Sequence, residues 1–209
     1  MKNIISIITL LSIIAFTALT YAEGAYELTE EFVVADFNTG EKPNNIDGTF
    51  GTFDYDPHDE TQWCLMEFSE FDVHATEGMH SVKIIYDVQS PNPAFNGFWM
   101  KLEGVDITKY NRLRFWVRGD SEVNYTSRFK VELKNDLGER AIYFVKGVTS
   151  QWREIIIAFK DTKAITDWTT MTEFTVVFTD LVSTYREGVI YIDDIAFLLV
   201  AEEENVVVE

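Results

Sequence analysis

Two adjacent carboxylates, Asp193 and Asp194, sit at the centre of the apolar run GVIYIDDIAF (188–197). In a strand, neighbouring side chains point to opposite faces. One face would carry Val189, Tyr191, Asp193, Ile195 and Phe197, the other Ile190, Ile192, Asp194, Ala196 and Leu198. Both faces are otherwise apolar, so an alternating solvent face explains neither acid. A carboxylate turned inward needs a metal, a cation or a set of N–H donors, because burying it alone is costly. A catalytic pair is a poor reading, since glycosidase carboxylates face each other across about 5–9.5 Å and adjacent strand residues diverge.

A second group of residues suits carbohydrate chemistry. Aromatic residues make up 14% of the chain, and several lie beside charged ones in β-type runs. GFWMKLE alternates Phe98, Met100 and Leu102 with Trp99, Lys101 and Glu103. RFKVELK alternates Phe129, Val131 and Leu133 with Arg128, Lys130, Glu132 and Lys134. One face of each run is core, and the other mixes an aromatic plane with long charged groups. An aromatic plane packs against the C–H face of a pyranose, and charged side chains pair with adjacent hydroxyls. The same pattern also describes a solvated sheet face with one Trp tucked under a loop. The Gly- and Asp-rich stretch 44–64 reads as a loop over that face, offering Phe53, Tyr55 and Trp63.

Other chemistries are poorly supported. No nucleophile elbow, phosphate-binding glycine loop, zinc spacing or E-x-D-x-x-E triplet occurs, and DYDPHDE lacks the Gly and terminal Glu of an EF-hand loop. The three histidines, His58, His74 and His80, are scattered. Cys64 is the only cysteine, which excludes an intrachain disulfide, and its setting in WCLMEF reads as a buried small hydrophobe. A formal net charge of −18 argues against nucleic acid and anionic membrane surfaces as partners. It leaves many oxygens for a hard cation.

These residues need elements to hold them. Residues 1–22 have an early Lys2, a long apolar middle and a small Ala22, the order of a secretory signal peptide, with an uncleaved anchor as the alternative. Residues 23–200 then read as one domain, and 201–209 as an acidic, frayed tail. Within the domain, eleven short runs rich in Val, Ile, Phe, Tyr and Trp are separated by turn residues. They span 32–37, 48–55, 63–68, 80–88, 97–103, 112–118, 128–134, 141–147, 153–159, 173–180 and 188–199. Only ITKYNR and TDWTTM offer a helical turn. Many short strands at regular spacing indicate an all-β sandwich or barrel.

The order of these features resembles the β-jelly-roll carbohydrate-binding modules of the galactose-binding-domain type. Family 11 is the nearest group, with the domains named after complex I intermediate-associated protein 30. The resemblance rests on VADFNTG, HSVKIIYDV, FNGFWMKLEGVDITKYNRLRFWVRGD, RFKVELKNDLGERAIYFV, SQWREIIIAFKD, MTEFTVVF and GVIYIDDIAF in sequence. It implies an antiparallel two-sheet sandwich. It also implies a structural Ca²⁺ held by Asp193 and by Asp36 of the ADF segment. Backbone carbonyls around 36–40 and Asn38 would supply the rest of about six to eight oxygens. The alternative is that Asp193 and Asp194 cap a turn or pair with an Arg. In GERAIYF the resemblance points to Arg140 as a cleft residue, and to Tyr143 if its phase faces outward. Family 11 lines its cleft with tyrosines, whereas the matching position here is Phe178, which shares a phase with Phe174 and Val176 and reads as core.

The expected function is therefore a secreted, non-catalytic domain that binds a β-linked oligo- or polysaccharide. The ligand-binding set is Trp99, Lys101, Glu103, Lys130, Glu132, Arg140 and Tyr143. A secreted structural, adhesion or assembly protein using the same sandwich to bind another protein is the second reading. A glycoside-active enzyme is the third.

Overall fold

The structure, a computed structural model, describes residues 27–74, 78–161 and 164–201. The leader 1–22 and residues 202–209 of the acidic tail lie outside the described residues. Eleven strands form, one for each expected run. They are β1 (Leu28–Ala35), β2 (Phe50–Asp54), β3 (Trp63–Ser69), β4 (Ser81–Asp87), β5 (Phe95–Val105) and β6 (Arg112–Gly119), then β7 (Arg128–Asn135), β8 (Arg140–Lys146), β9 (Arg153–Ala158), β10 (Met171–Thr179) and β11 (Glu187–Val200). The one helical element among the described residues is a 3-10 turn, Phe159–Asp161, and not either of the two segments expected to hold one.

The strands form two antiparallel sheets packed as a sandwich. The front sheet has the order β2-β5-β10-β7-β8, and the back sheet β3-β4-β11-β6-β9 with β1 added. The 14-residue β11 organises the back sheet. One of its edges pairs with β6, while the other pairs first with β4 (Glu187–Ile192) and then with β1 (Ile195–Val200). Asp193 and Asp194 fall in the gap between those two partners.

Period-2 alternation sends one phase of each strand inward. Phe98 and Met100 from β5, Phe174, Val176 and Phe178 from β10, and Phe129 and Val131 from β7 are fully buried. They meet Val82, Ile84, Tyr86, Phe115, Val117, Ile190 and Ile192 from the back sheet. Phe178 stacks on Tyr86 with centroids 3.9 Å apart, and Phe174 meets Phe115 edge-on at 6.0 Å. Each such side chain contributes about 1.5–3 kcal/mol through burial. One polar tie crosses the core. Buried Asn96 on β5 donates its amide to the carbonyls of Trp63 (2.8 Å) and Asp87 (2.6 Å). It thus links the front sheet to the β3–β4 edge of the back sheet.

Candidate functional site

The outward phase of the front sheet builds a cleft of about 540 Å³. Strand register arranges its side chains in rungs. One rung runs Phe53, Gly97, Val177, Lys130 and Phe144 across β2, β5, β10, β7 and β8. The next runs Gly51, Trp99, Thr175, Glu132 and Ile142. The third has no β2 member and reads Lys101, Glu173, Lys134 and Arg140. Aromatic groups therefore collect on the β2–β5 side and cations on the β7–β8 side.

Two glycines let aromatic rings approach the sheet closely. An added Cβ at Gly51 would lie 3.3 Å from Cζ2 of Trp99, so the indole rests directly over the β2 backbone. Its Nε1–H donates to the Thr52 carbonyl at 3.1 Å, which fixes its tilt. Reciprocally, Phe53 on β2 leans over Gly97 on β5, where a Cβ would come within 3.1 Å of the Phe53 ring and 1.9 Å of the Val176 carbonyl oxygen. Phe95 continues the surface and packs on Tyr55 at 4.4 Å. The result is a part-exposed aromatic bank in which Phe95 meets Phe53 edge-on at 6.4 Å.

The charges are partly cross-braced. Glu173 receives Lys101 Nζ at 2.7 Å and Lys134 Nζ at 2.6 Å. Burial raises the proton affinity of Glu173, but the hydrogen bonds from Lys101 and Lys134 outweigh it and hold the carboxyl below its ordinary value. Glu132 is buried, with Arg140 Nη1 at 3.5 Å and Lys134 Nζ at 4.0 Å. Lys101 also lies over the Trp99 ring, 5.5 Å from its centroid. Among the described residues Lys130 makes no ion pair.

Of the residues expected to bind ligand, Trp99, Lys101, Lys130, Glu132 and Arg140 meet in this cleft. Glu103 and Tyr143 stand apart from it. At Glu103 and Gly104 the backbone turns left-handed (φ 52 and 73), opposite a register shift between Met171 and Glu173. That bulge breaks the alternation and carries Glu103 out to solvent. Tyr143 lies in the inward phase of β8 with Ala141 and Val145 and packs against the core. The outward phase is Arg140, Ile142, Phe144 and Lys146. Sequence reasoning passed over Glu173, Thr175 and Val177, the central strip of the cleft, although the inward assignment of Phe174, Val176 and Phe178 already implied them. Phe53 belongs to β2 and the cleft rather than to a covering loop, and Trp63 starts β3 on the back sheet.

The Asp pair lies on the other sheet. Asp193 is buried, its Oδ2 accepting the His74 N–H (3.1 Å) and its Oδ1 the Asp194 N–H (2.9 Å). The expectation that the neighbours diverge fails here for a backbone reason. Asp194 has φ 49 beside the β11–β6 register shift, and its Oδ2 lies 2.7 Å from His74 Nδ1. Both carboxylates thus engage His74, whose ring stacks on Trp116 at 3.7 Å. Burial pushes the Asp193 carboxyl up to about 7, with the charges of Asp194 and Asp36 adding to the rise.

As a cation site this region fits in charge, with three carboxylates and, among the described residues, no Lys or Arg paired to any of them. It is sparse in ligands. Asp36 accepts from the Asn38 N–H and the Asn45 amide, Asn38 Oδ1 accepts from the Met79 N–H, and no group of three His, Cys, Asp or Glu able to hold a metal occurs among the described residues. Backbone carbonyls would have to supply most of a Ca²⁺ shell.

No protein-family model and no curated protein sequence matches the chain. Solved structures do match in fold. The family 11 carbohydrate-binding module from Clostridium thermocellum, in complex with a β-1,3-1,4-mixed-linked tetrasaccharide, superposes with TM-score 0.59 at 16% identity, covering 83% of this chain and 98% of that one. The family 11 module of the cellulosomal cellulase Lic26A-Cel5E of the same organism gives 0.58 at 16%, covering 84% and 98%. An exo-β-agarase gives 0.58 at 10%, covering 83% of this chain but 26% of the enzyme. The fold is that of the jelly-roll carbohydrate-binding modules.

Proposed function

We propose that this chain is an exported, non-catalytic glycan-binding domain that lays a β-linked oligo- or polysaccharide along the outer face of the front sheet. The observation that carries the reading is the cleft itself: the aromatic side chains of Trp99, Phe53 and Phe95 beside a bank of charged donors and acceptors. Sugar rings stack on the first and their hydroxyls pair with the second. Support comes from the fold shared with the C. thermocellum module solved with its tetrasaccharide. Glu173, held low by two lysines, is poorly suited to act as a general acid. Export is supported by the signal-like order of residues 1–22.

Affinity electrophoresis in gels containing mixed-linkage β-glucan, xylan, galactan, alginate or carrageenan tests the function. At least one polysaccharide should retard the wild-type chain, and Trp99→Ala should abolish the retardation while leaving the melting temperature within a few degrees. Retardation of the wild type by no glycan, in gels or in solution, would overturn the reading.

We propose also a structural Ca²⁺ at Asp36 and Asp193, supported by the burial of the Asp193 carboxyl and, to a lesser degree, by the nearby negative charges of Asp194 and Asp36. The ion would neutralise these charges and tie the segment after β1 to β11. EDTA should then lower the melting temperature of the wild type but not that of Asp193→Ala. An EDTA-insensitive melt would remove the proposal.

A further inference from the structure

The chain carries a formal net charge of −18, yet its cleft runs the other way. Lys101, Lys130, Lys134 and Arg140 line it against only Glu132 and Glu173. Exposed Arg128 and Lys146, opposite each other on β7 and β8, extend the same sheet face. The two glutamates do not serve all four cleft cations equally. Glu173 is shared by Lys101 and Lys134, and Glu132 meets Arg140 at 3.5 Å, a loose contact through one nitrogen that leaves most of the guanidinium fork free. Lys130 has neither partner. In its rung it is flanked by Val177 and Phe144, and no ion pair reaches it among the described residues. Neutral sugars call for hydrogen-bond donors and acceptors in balance. A surplus of cations lining one cleft, with Lys130 unpaired among the described residues, is matched by an anionic ligand.

We infer that the ligand is an anionic polysaccharide, bearing uronate carboxylates or sulfate esters. Its ring faces lie on Trp99 and Phe53, and its acid groups meet Lys130 and Arg140. The inference rests on the glycan-binding reading above and narrows its substrate class. The acidic remainder of the chain does not prevent it. The Debye length is about 8 Å at physiological salt, so an anion within the cleft responds to these cations rather than to distant carboxylates.

Calorimetric titration of the full chain tests this with a β-1,4-linked mannuronate tetrasaccharide, a sulfated carrageenan tetrasaccharide and a neutral mixed-linkage glucan tetrasaccharide, in 50 and 500 mM NaCl. One of the charged oligosaccharides should bind at least about tenfold more tightly than the neutral one at low salt, and weaken severalfold at high salt. Which charged arm binds identifies carboxylate or sulfate as the acid group. Lys130→Gln should abolish the preference. Lys83→Gln should not, because it removes the same charge from the back sheet, where Lys83 pairs with Glu67 at 3.3 Å. Equal or tighter, salt-insensitive binding of the neutral tetrasaccharide would overturn the anionic assignment and leave glycan binding standing. Persistence of the preference in Lys130→Gln would overturn the role given to Lys130. Binding of none of the three would overturn this inference, and the polysaccharide gels decide separately whether glycan binding falls with it.

Discussion

Replacing Glu173 with Gln removes the brace between Lys101 and Lys134 without changing the side chain's size. A sheltered charge-assisted hydrogen bond contributes about 1.5–3 kcal/mol, and an exposed ion pair about 0–1 kcal/mol. The Glu173 side chain is 17% exposed, but Lys101 is 44% and Lys134 33% exposed, so solvent screening discounts both contacts. About 1 kcal/mol each, or about 2 kcal/mol together, is the expected loss at pH 7. For a domain of this size that is a fall in melting temperature of about 4–8 °C. The sign with pH follows from the depressed carboxyl. Its stabilisation is complete above the ordinary value of 4.5 and disappears as pH falls through the lower folded-state value. Urea unfolding of wild type and Glu173→Gln from pH 7 to pH 3 should therefore show a gap that narrows toward acid. Double-mutant cycles with Lys101→Met and Lys134→Met should each recover about half of it. A gap below about 0.5 kcal/mol at pH 7, or one unchanged at pH 3, would refute the bracing argument.

Gly51→Val should push the indole of Trp99 off β2 and weaken glycan binding by about tenfold or more with little loss of stability, as gel retardation and thermal melts would show. Asn96→Ala should cost about 2–4 kcal/mol in urea unfolding, because it leaves the carbonyls of Trp63 and Asp87 without the amide that serves both. Glu139 is held down to about 2, first by the Thr166 hydroxyl and then by the Thr166 N–H and the Asn135 amide. Its latch on the segment 164–169 should thus be complete above about pH 4.5 and open as pH falls toward 2. Amide exchange at Thr166 and Asp167, compared at matched pH with Glu139→Gln, would report it: the two proteins should differ at pH 7 and converge in acid.

The strands were legible because their runs are rich in β-branched and aromatic residues and several of them alternate polar with apolar positions. β7 reads Phe129, Val131 and Leu133 against Lys130, Glu132 and Lys134, and the structure keeps that split. Legibility fails where the backbone leaves period two. Glu103 follows the phase of Trp99 and Lys101 on paper, but a left-handed bulge turns it away. Asp194 should oppose Asp193, yet a positive φ brings both to His74. Gly104 is the one local sign of the bulge at Glu103, whereas no glycine marks the turn at Asp194. Glu173 was missed for another reason. Its importance comes from lying between Lys101 and Lys134, a neighbourhood set by strand order, which local alternation does not encode. The same holds for Gly51 and Gly97, ordinary turn-type residues in sequence, whose use as seats for aromatic rings depends on cross-strand register.

The pairing of β1 with β11 also fixes how the domain bears load. Leu28 lies opposite Val200, and the Ala201 N–H donates to the Glu27 carbonyl, so both ends of the described chain leave from one corner of the back sheet. Tension applied between those ends would peel the β1–β11 ladder apart one bond at a time, the weakest way to stress a sheet. Tension between either end and a polymer gripped on the front sheet would instead pull across the packed core and the Asn96 tie, loading many contacts together. By this geometry the sandwich would yield more readily between its own ends than between an end and its cleft.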